Sequence, residues 1–234
     1  MSQKIKGLLL DIDGTLIDSN DAHAKAWQEA LAEFDIHVKY EDVREKIGMG
    51  GDNLLPLVAQ LHKEEGLGKK VDKRRVEIFK QDYLPHLQPF PYAQQLIELL
   101  HKAGLKIIAA SSASKEDLGA LLKKSGVEKY VDGATSSDDA ERSKPAPDII
   151  EAALQKGDLR PSMTLMVGDT PYDIAAAEKA GVQTIAFTCG GWKEKDLQGA
   201  VAVLSGPEEL FAKLKQIPIE EIPEKLHAMA RSAL

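Results

Sequence analysis

The chain predicts an α/β fold, a parallel sheet flanked by helices, with an all-helical segment inserted after the first strand. Three observations carry this. Residues 5–10 form a short apolar run that reaches Asp11 and Asp13 and is broken by Gly14-Thr15, as a buried strand closed by a turn requires. Residues 17–88 show helical periodicity and no strand-like run. From residue 91 onward strands and helices alternate at lengths that suit right-handed crossovers.

The elements follow in order. Ala22, Ala26, Trp27, Ala30, Leu31 and Phe34 recur at three- and four-residue spacing, with Ser19, Asn20 and Asp21 as candidate N-caps. Further helices are expected near 40–47, 52–62 and 70–82, separated by Gly48-Met49-Gly50-Gly51 and Glu65-Gly66-Leu67-Gly68. Pro85, Pro89 and Pro91 then mark a re-entry segment. Helices at 92–102, 115–124, 147–156, 171–180 and 207–216 alternate with strands at 105–110, 130–134, 164–167, 183–187 and 200–204. Residues 219–234 place Ile219, Ile222, Leu226 and Met229 at helical spacing, a tail expected to dock on its own core.

Composition removes several function classes. A net charge of −7 argues against a nucleic-acid partner. The basic residues between 69 and 75 alternate with Val71, Asp72 and Val76 and read as a solvated helix face. A single cysteine, Cys189, allows no internal disulfide, so a cytoplasmic protein is expected. No apolar run approaches the ~18 residues of a membrane span, and no membrane partner is expected. Monomer is the default for a chain of this size.

Parallel strands deliver their carboxyl ends to one edge of the sheet, where such folds bind ligands. Asp11 and Asp13, Ser111 and Ser112, Asp169, and Lys144 ahead of a helix all fall there. Singly, each has a plain structural reading as a turn, a cap or a surface lysine, and Ser114 reads as a helix cap. Together, close carboxylates call for a hard cation such as Mg2+, and an ammonium and hydroxyls suit phosphoryl oxygens. One carboxylate would attack phosphorus while another moves protons. The six histidines lack zinc-ligand spacing.

These residues resemble, in order, the four motifs of the haloacid dehalogenase superfamily: Asp11-Ile12-Asp13-Gly14-Thr15-Leu16, Ser111, Lys144 in Ser-Lys-Pro-Ala-Pro-Asp, and Gly168-Asp169-Thr170-Pro171-Tyr172-Asp173. The helical insert is similar to the C1 cap of the phosphoglycolate phosphatase and β-phosphoglucomutase branch. The resemblance implies a Rossmann-like core at 1–16 and 89–234, a cap at 17–88, and hinges near 16–19 and 85–91. It implies a Mg2+-dependent phosphatase acting on a small phosphorylated metabolite, phosphoglycolate- or sugar-phosphate-like, through an aspartyl-phosphate on Asp11. Asp13 would be the general acid/base, and Mg2+ would be held by the Asp11 carboxylate, the Asp13 carbonyl and Asp169. Ser111 would bind phosphoryl oxygens, with Ser112 one residue away as the other candidate. Lys144 would balance charge. Asp173 would position Lys144 or a metal-bound water, within the substrate-binding set. His23 matches a cap histidine that faces phosphate or sugar, or else packs near the hinge.

Asp13 favours phosphoryl transfer over carbon–halogen cleavage, because strict dehalogenases lack that second aspartate. The alternative is a sugar phosphomutase of the β-phosphoglucomutase type. Those enzymes carry a cap Gly-x-Ser-Arg whose arginine grips a second phosphate, where this chain has Gly48-Met49-Gly50-Gly51, with Arg44, Lys46 or Lys73 as substitutes. A phospho-accepting signalling module is remoter, since receivers are shorter and have no such insert. Trp27, His23, Met49, Asn53 and Lys46 are the cap residues from which substrate contacts are expected.

Overall fold

β1 (Gly7–Leu10) is buried along its whole length, as its Gly-Leu-Leu-Leu sequence requires. In the computed structural model, which describes residues 4–231, it lies inside a sheet of parallel strands. The others are β2 (Lys106–Ala110), β3 (Gly133–Thr135), β4 (Thr164–Gly168), β5 (Gln183–Phe187) and β6 (Ala202–Leu204). Their order is β3-β2-β1-β4-β5-β6. The chain runs outward from β1 to β2 and β3 on one side and to β4, β5 and β6 on the other. The strand order therefore reverses at β1, and a crevice opens beyond the carboxyl ends of β1, β2 and β4.

Between β1 and β2 lie the insert helices α1 (Asn20–Ala32), α2 (Tyr40–Arg44), α3 (Gly51–Ala59) and α4 (Gly66–Ile78), then α5 (Ala93–Lys102). A π-turn at Phe79–Tyr83 continues α4. The remaining helices are α6 (Lys115–Ser125), α7 (Asp148–Gly157), α8 (Pro171–Lys179), α9 (Pro207–Leu214) and α10 (Ile222–Arg231). Alternation along β1 sorts them onto two faces. Leu8 and Leu10 share a core with α5, α6, α9, α10 and the insert, whereas Leu9 packs with α7 and α8. Each fully buried leucine contributes about 1.5–3 kcal/mol of apolar burial.

Some expected features differ in detail: the helix near 40–47 ends at Arg44, and the one near 70–82 starts at Gly66. The strand expected at 130–134 is a 3-10 turn at Glu128–Tyr130 followed by β3, because Tyr130 N–H closes onto Val127 O. The strand expected at 200–204 starts at Ala202, because Ala200 N–H is turned back to Leu197 O. Ser19 stands at the N-cap position of α1 but makes no capping bond. Its hydroxyl goes instead to Asp13, at 2.5 Å. The tail docks on its own core through buried Ile222, Leu226 and Ala230, with Ile5 N–H on Pro223 O; residues 232–234 lie outside the described residues.

The two connections between sheet and insert run side by side. Ile17 bridges Pro89 in antiparallel fashion. Phe90 N–H donates to Leu16 O at 2.9 Å, and Asp18 N–H to Gln88 O at 3.1 Å.

Candidate active site

The register sets the site. Leu10 is level with Ala109 of β2 and Val167 of β4, so Asp11, Ser111 and Asp169 leave their strands at one edge. Lys144 reaches this edge from the loop before α7 and is almost wholly buried. Its ammonium donates to Asp11 Oδ1 at 2.6 Å, Asp173 Oδ1 at 2.7 Å and Ala110 O at 2.8 Å. All three of its protons are thereby placed. Burial alone would lower its pKa, but Asp11 and Asp173 outweigh that and hold the ammonium charged well above the ordinary lysine range.

Asp173, expected among the substrate-binding residues, has no face on the cavity: it is 1% exposed and lies behind the lysine. Its second oxygen accepts Thr170 N–H at 3.0 Å and the Thr170 hydroxyl at 2.7 Å, closing a capping box at the start of α8. The helix cap fixes Asp173, and Asp173 fixes Lys144.

Asp169 is held on both oxygens, by the Thr15 hydroxyl and by Asn20 Nδ2, each at 2.8 Å. Neither partner was read from the sequence as a holder of this carboxylate, because Thr15 lies in the turn after β1 and Asn20 opens α1, and both meet Asp169 only in the fold. A side chain at Gly14 or Gly190 would collide with this carboxylate, so glycine is required at both places. Burial, then the Asp173 charge, push the Asp169 carboxyl up to about 7. Burial pushes Asp11 well above the carboxylate range too, against the pull of Lys144.

These shifts report a charge deficit. Asp11, Asp169 and Asp173 bring carboxylate oxygens within 4.8 Å of one another, with one ammonium among them. Asp173 is spent on Lys144 and Thr170, while Asp11 Oδ2 has only a long 3.5 Å contact from Thr15. Asn20 Oδ1 is buried without a partner. A hard, oxygen-loving cation fits this donor set. Ligation requires deprotonated carboxylates, so protons compete with the metal. The rise in Tm on adding Mg2+ is therefore expected to be larger at pH 8 than at pH 6, with apparent affinity about tenfold weaker at pH 6. Thermal shift across a Mg2+ titration at both pH values checks this, and equal affinities would contradict it.

Asp13 faces the same cavity from two residues on. Its Oδ1 accepts the Ser19 hydroxyl and sits 2.9 Å from His23 Nε2. Burial pushes this carboxyl up, but His23 and Ser19 overcome it and hold it below the ordinary range. His23 stacks on Phe79 of the π-turn, ring centroids 4.0 Å apart, so it both packs and lines the cavity. Ser111 is buried, lines the cavity, and its hydroxyl oxygen accepts Ala113 N–H at 3.1 Å. Ser112 lines the cavity but directs its hydroxyl to Gly48 O, at 3.4 Å. Ser114 caps α6 as expected.

The insert closes the cavity. Of the cap residues considered, Trp27, His23 and Lys46 line it. Met49 is packed in the core. Asn53 instead reaches the lysine loop, donating to Lys144 O at 3.1 Å and Ser143 O at 3.4 Å, beside Asp52, which accepts Ser143 N–H at 3.2 Å. Arg44 turns to Asp21 and Gly190 O, and Lys73 is exposed. The basic run does not form one solvated face: Arg75 lines the cavity, a place that its position among surface charges concealed.

The haloacid dehalogenase-like hydrolase family matches residues 8–187, which span the whole site. The chain belongs to that family. A phosphoglycolate phosphatase of Aquifex aeolicus is 31% identical over 208 residues, covering 87% of this chain and 93% of the relative. The pyrophosphatase PpaX of Oceanobacillus iheyensis is 27% identical over 195 residues, covering 82% and 86%. A hydrolase from Pseudomonas syringae superposes with a TM-score of 0.84 at 26% identity, covering 91% of this chain and 99% of its own.

Proposed function

We propose that this haloacid dehalogenase-like hydrolase is a Mg2+-dependent phosphatase of small phosphorylated metabolites, acting as a cytoplasmic monomer. Residues 1–16 and 89–234 would form its core and 17–88 its cap. The observation that carries the reading is Asp11: a buried carboxylate with one oxygen fixed by Lys144 and the other left toward the cavity that Asp13 shares. The phosphatase names of the relatives, on phosphoglycolate and pyrophosphate, are consistent with it.

In this reading Asp11 Oδ2 attacks phosphorus, and the bond from phosphorus to the leaving oxygen breaks. Asp13 gives that oxygen its proton, then takes one from the water that hydrolyses the aspartyl-phosphate. Ser111 donates to a phosphoryl oxygen, and Lys144 offsets the charge gathered around Asp11. Held by Asp11, Asp169 and the Asp13 carbonyl, Mg2+ would neutralise charge on the phosphoryl oxygens. The cap residues Gly48, Asp52 and Asn53 seat on the serine and lysine loops, which suits a lid that excludes water.

A phosphomutase needs a firm grip on a distal phosphate of a sugar. Gly51 stands where the mutases' arginine would be, Arg44 is committed to Asp21 and Gly190, and Lys73 is exposed, which leaves only Lys46 of the three substitutes at the cavity and favours hydrolysis. Release of phosphate from p-nitrophenyl phosphate tests the reading. Turnover with Mg2+ and a loss of about a hundredfold or more in EDTA are expected. Conversion of glucose 1-phosphate to the 6-phosphate exceeding phosphate release would overturn it.

A further inference from the structure

The insert carries a glycine run, Gly48-Met49-Gly50-Gly51, that the phosphoryl chemistry leaves without a task. Gly48 and Gly50 have φ of +104° and +81°, and both stand against the core. A Cβ on Gly48 would lie 2.8 Å from Thr170 Cγ2, and one on Gly50 would lie 2.5 Å from Ser143 Oγ. Side chains do not come so close, so the run lets the backbone of the insert meet two core loops directly. Both loops hold Lys144. Thr170 fixes Asp173 behind the ammonium, and Ser143 precedes the lysine in the chain.

The next two residues close around the lysine loop. Gly50 stands at the N-cap position of α3, and no side chain caps that helix. An aspartate in the first turn ordinarily serves its own helix end. Asp52 instead reaches across to the core and accepts Ser143 N–H at 3.2 Å. Asn53 Nδ2 donates to Lys144 O at 3.1 Å and to Ser143 O at 3.4 Å. An acceptor and a donor from one helix turn thus take hold of the backbone on both sides of Ser143. Residues 140–147 form no helix or strand, so ties of this kind set where the lysine backbone lies. The loop's other side-chain ties, Lys179 to Pro145 O and Arg142 to Asp148, are exposed. Asn53 also reaches Met49 O at 3.2 Å, a bond that would serve α3 alone, whereas the Asp52 bond does nothing for that helix.

From the close approach of Gly48 and Gly50 and from these bonds, we infer that Asp52 and Asn53 are positioning residues. They set the Ser143-Lys144 backbone and, through it, the Lys144 ammonium against Asp11. Seating the insert and assembling the lysine beside the nucleophile are then one event. The inference rests on the phosphatase reading for what Lys144 does. It goes beyond that reading by giving the insert a part in building the site, in addition to excluding water.

Amide hydrogen exchange and steady-state kinetics on the full chain test this. Asn53→Asp sets a carboxylate against two carbonyl oxygens, and Asp52→Ala removes the acceptor. In both variants exchange across residues 140–147 is expected to quicken at least tenfold. A displacement of about 1 Å costs about 10²-fold in rate, so kcat for p-nitrophenyl phosphate should fall about ten- to a hundredfold, by more than KM rises. Asp52→Asn keeps an accepting oxygen and is expected to recover most of what Asp52→Ala loses, in exchange and in kcat alike. Because the two residues serve one clasp, the double variant Asp52→Ala/Asn53→Asp should lose about as much kcat as the worse single variant. Unchanged exchange at 140–147, quickened exchange there with kcat unchanged, or multiplied losses in the double variant would overturn the inference and leave Asn53 as a support for α3. Should Asn53→Asp fail to fold, Asp52→Ala and Asp52→Asn carry the comparison. Absence of turnover of p-nitrophenyl phosphate by wild type would defeat the phosphatase reading. Exchange would still decide the clasp: faster at 140–147 in Asp52→Ala and restored in Asp52→Asn supports it, and no change overturns it.

Discussion

Asp11→Asn is expected to lose at least about 10⁴-fold in phosphate release while remaining folded. The amide fills the same space, and its oxygen can still accept from Lys144, which keeps Asp173 and Ala110 O as partners. What goes is the anionic oxygen that attacks phosphorus. Stability should move the other way. Burial, with Asp173, Asp169 and Asp13 adding to it, raises the folded-state pKa of Asp11 well above the ordinary value. A group raised in this direction keeps its proton in the folded state at pH values where the unfolded chain has released it. Its ionisation therefore costs stability as pH climbs from the unfolded pKa through the folded one. Replacing it with a neutral amide removes that cost. In EDTA at pH 8, Asp11→Asn is expected to melt at or above the wild-type Tm, and Mg2+ should raise its Tm less than it raises that of wild type. A variant that keeps wild-type turnover would remove Asp11 from the chemistry.

The parts of the site that could be read from sequence are those that topology alone brings together. Asp11, Ser111 and Asp169 each follow a strand, and parallel pairing in the observed register carries strand ends to one edge without any side-chain detail. The apolar run was legible as a buried strand, while the sorting of Leu8 and Leu10 to one face and Leu9 to the other emerged with the fold. Thr15 and Asn20 were not legible as site residues, because their task is to hold a carboxylate that lies 154 and 149 residues away. Ser19 was misread as a cap because a serine before a helix usually is one, and here Asp13 competes for its hydroxyl more strongly than the helix does. Arg75 shows the limit of reading charge runs. Within three residues the chain presents Lys73 to solvent, Arg74 to Glu33 at 2.6 Å, and Arg75 to the cavity. Helical rotation of about 100° per residue separates them, and composition averages over it.

Asp13→Asn should fail differently from Asp11→Asn, and the difference separates nucleophile from proton carrier. The Asp13 carboxyl is held below its ordinary range by His23 and Ser19 despite burial, so it is ionised before substrate arrives. That state suits the second step, in which it takes a proton from water. The first step needs it protonated, and a phosphoryl dianion entering the cavity favours that form by like-charge repulsion. A leaving group that is stable as an anion needs no proton, whereas an alkoxide does. With p-nitrophenyl phosphate, Asp13→Asn is therefore expected to release a burst of about one nitrophenol per enzyme and then stall, as the aspartyl-phosphate waits for a base. With ethyl phosphate no burst is expected, and the rate should fall by about 10²–10⁴. Rapid-mixing absorbance reads the first result and phosphate release the second. A wild-type rate on ethyl phosphate would show that protons reach the leaving oxygen by another route, and His23, 2.9 Å from Asp13, would then be the first group to replace.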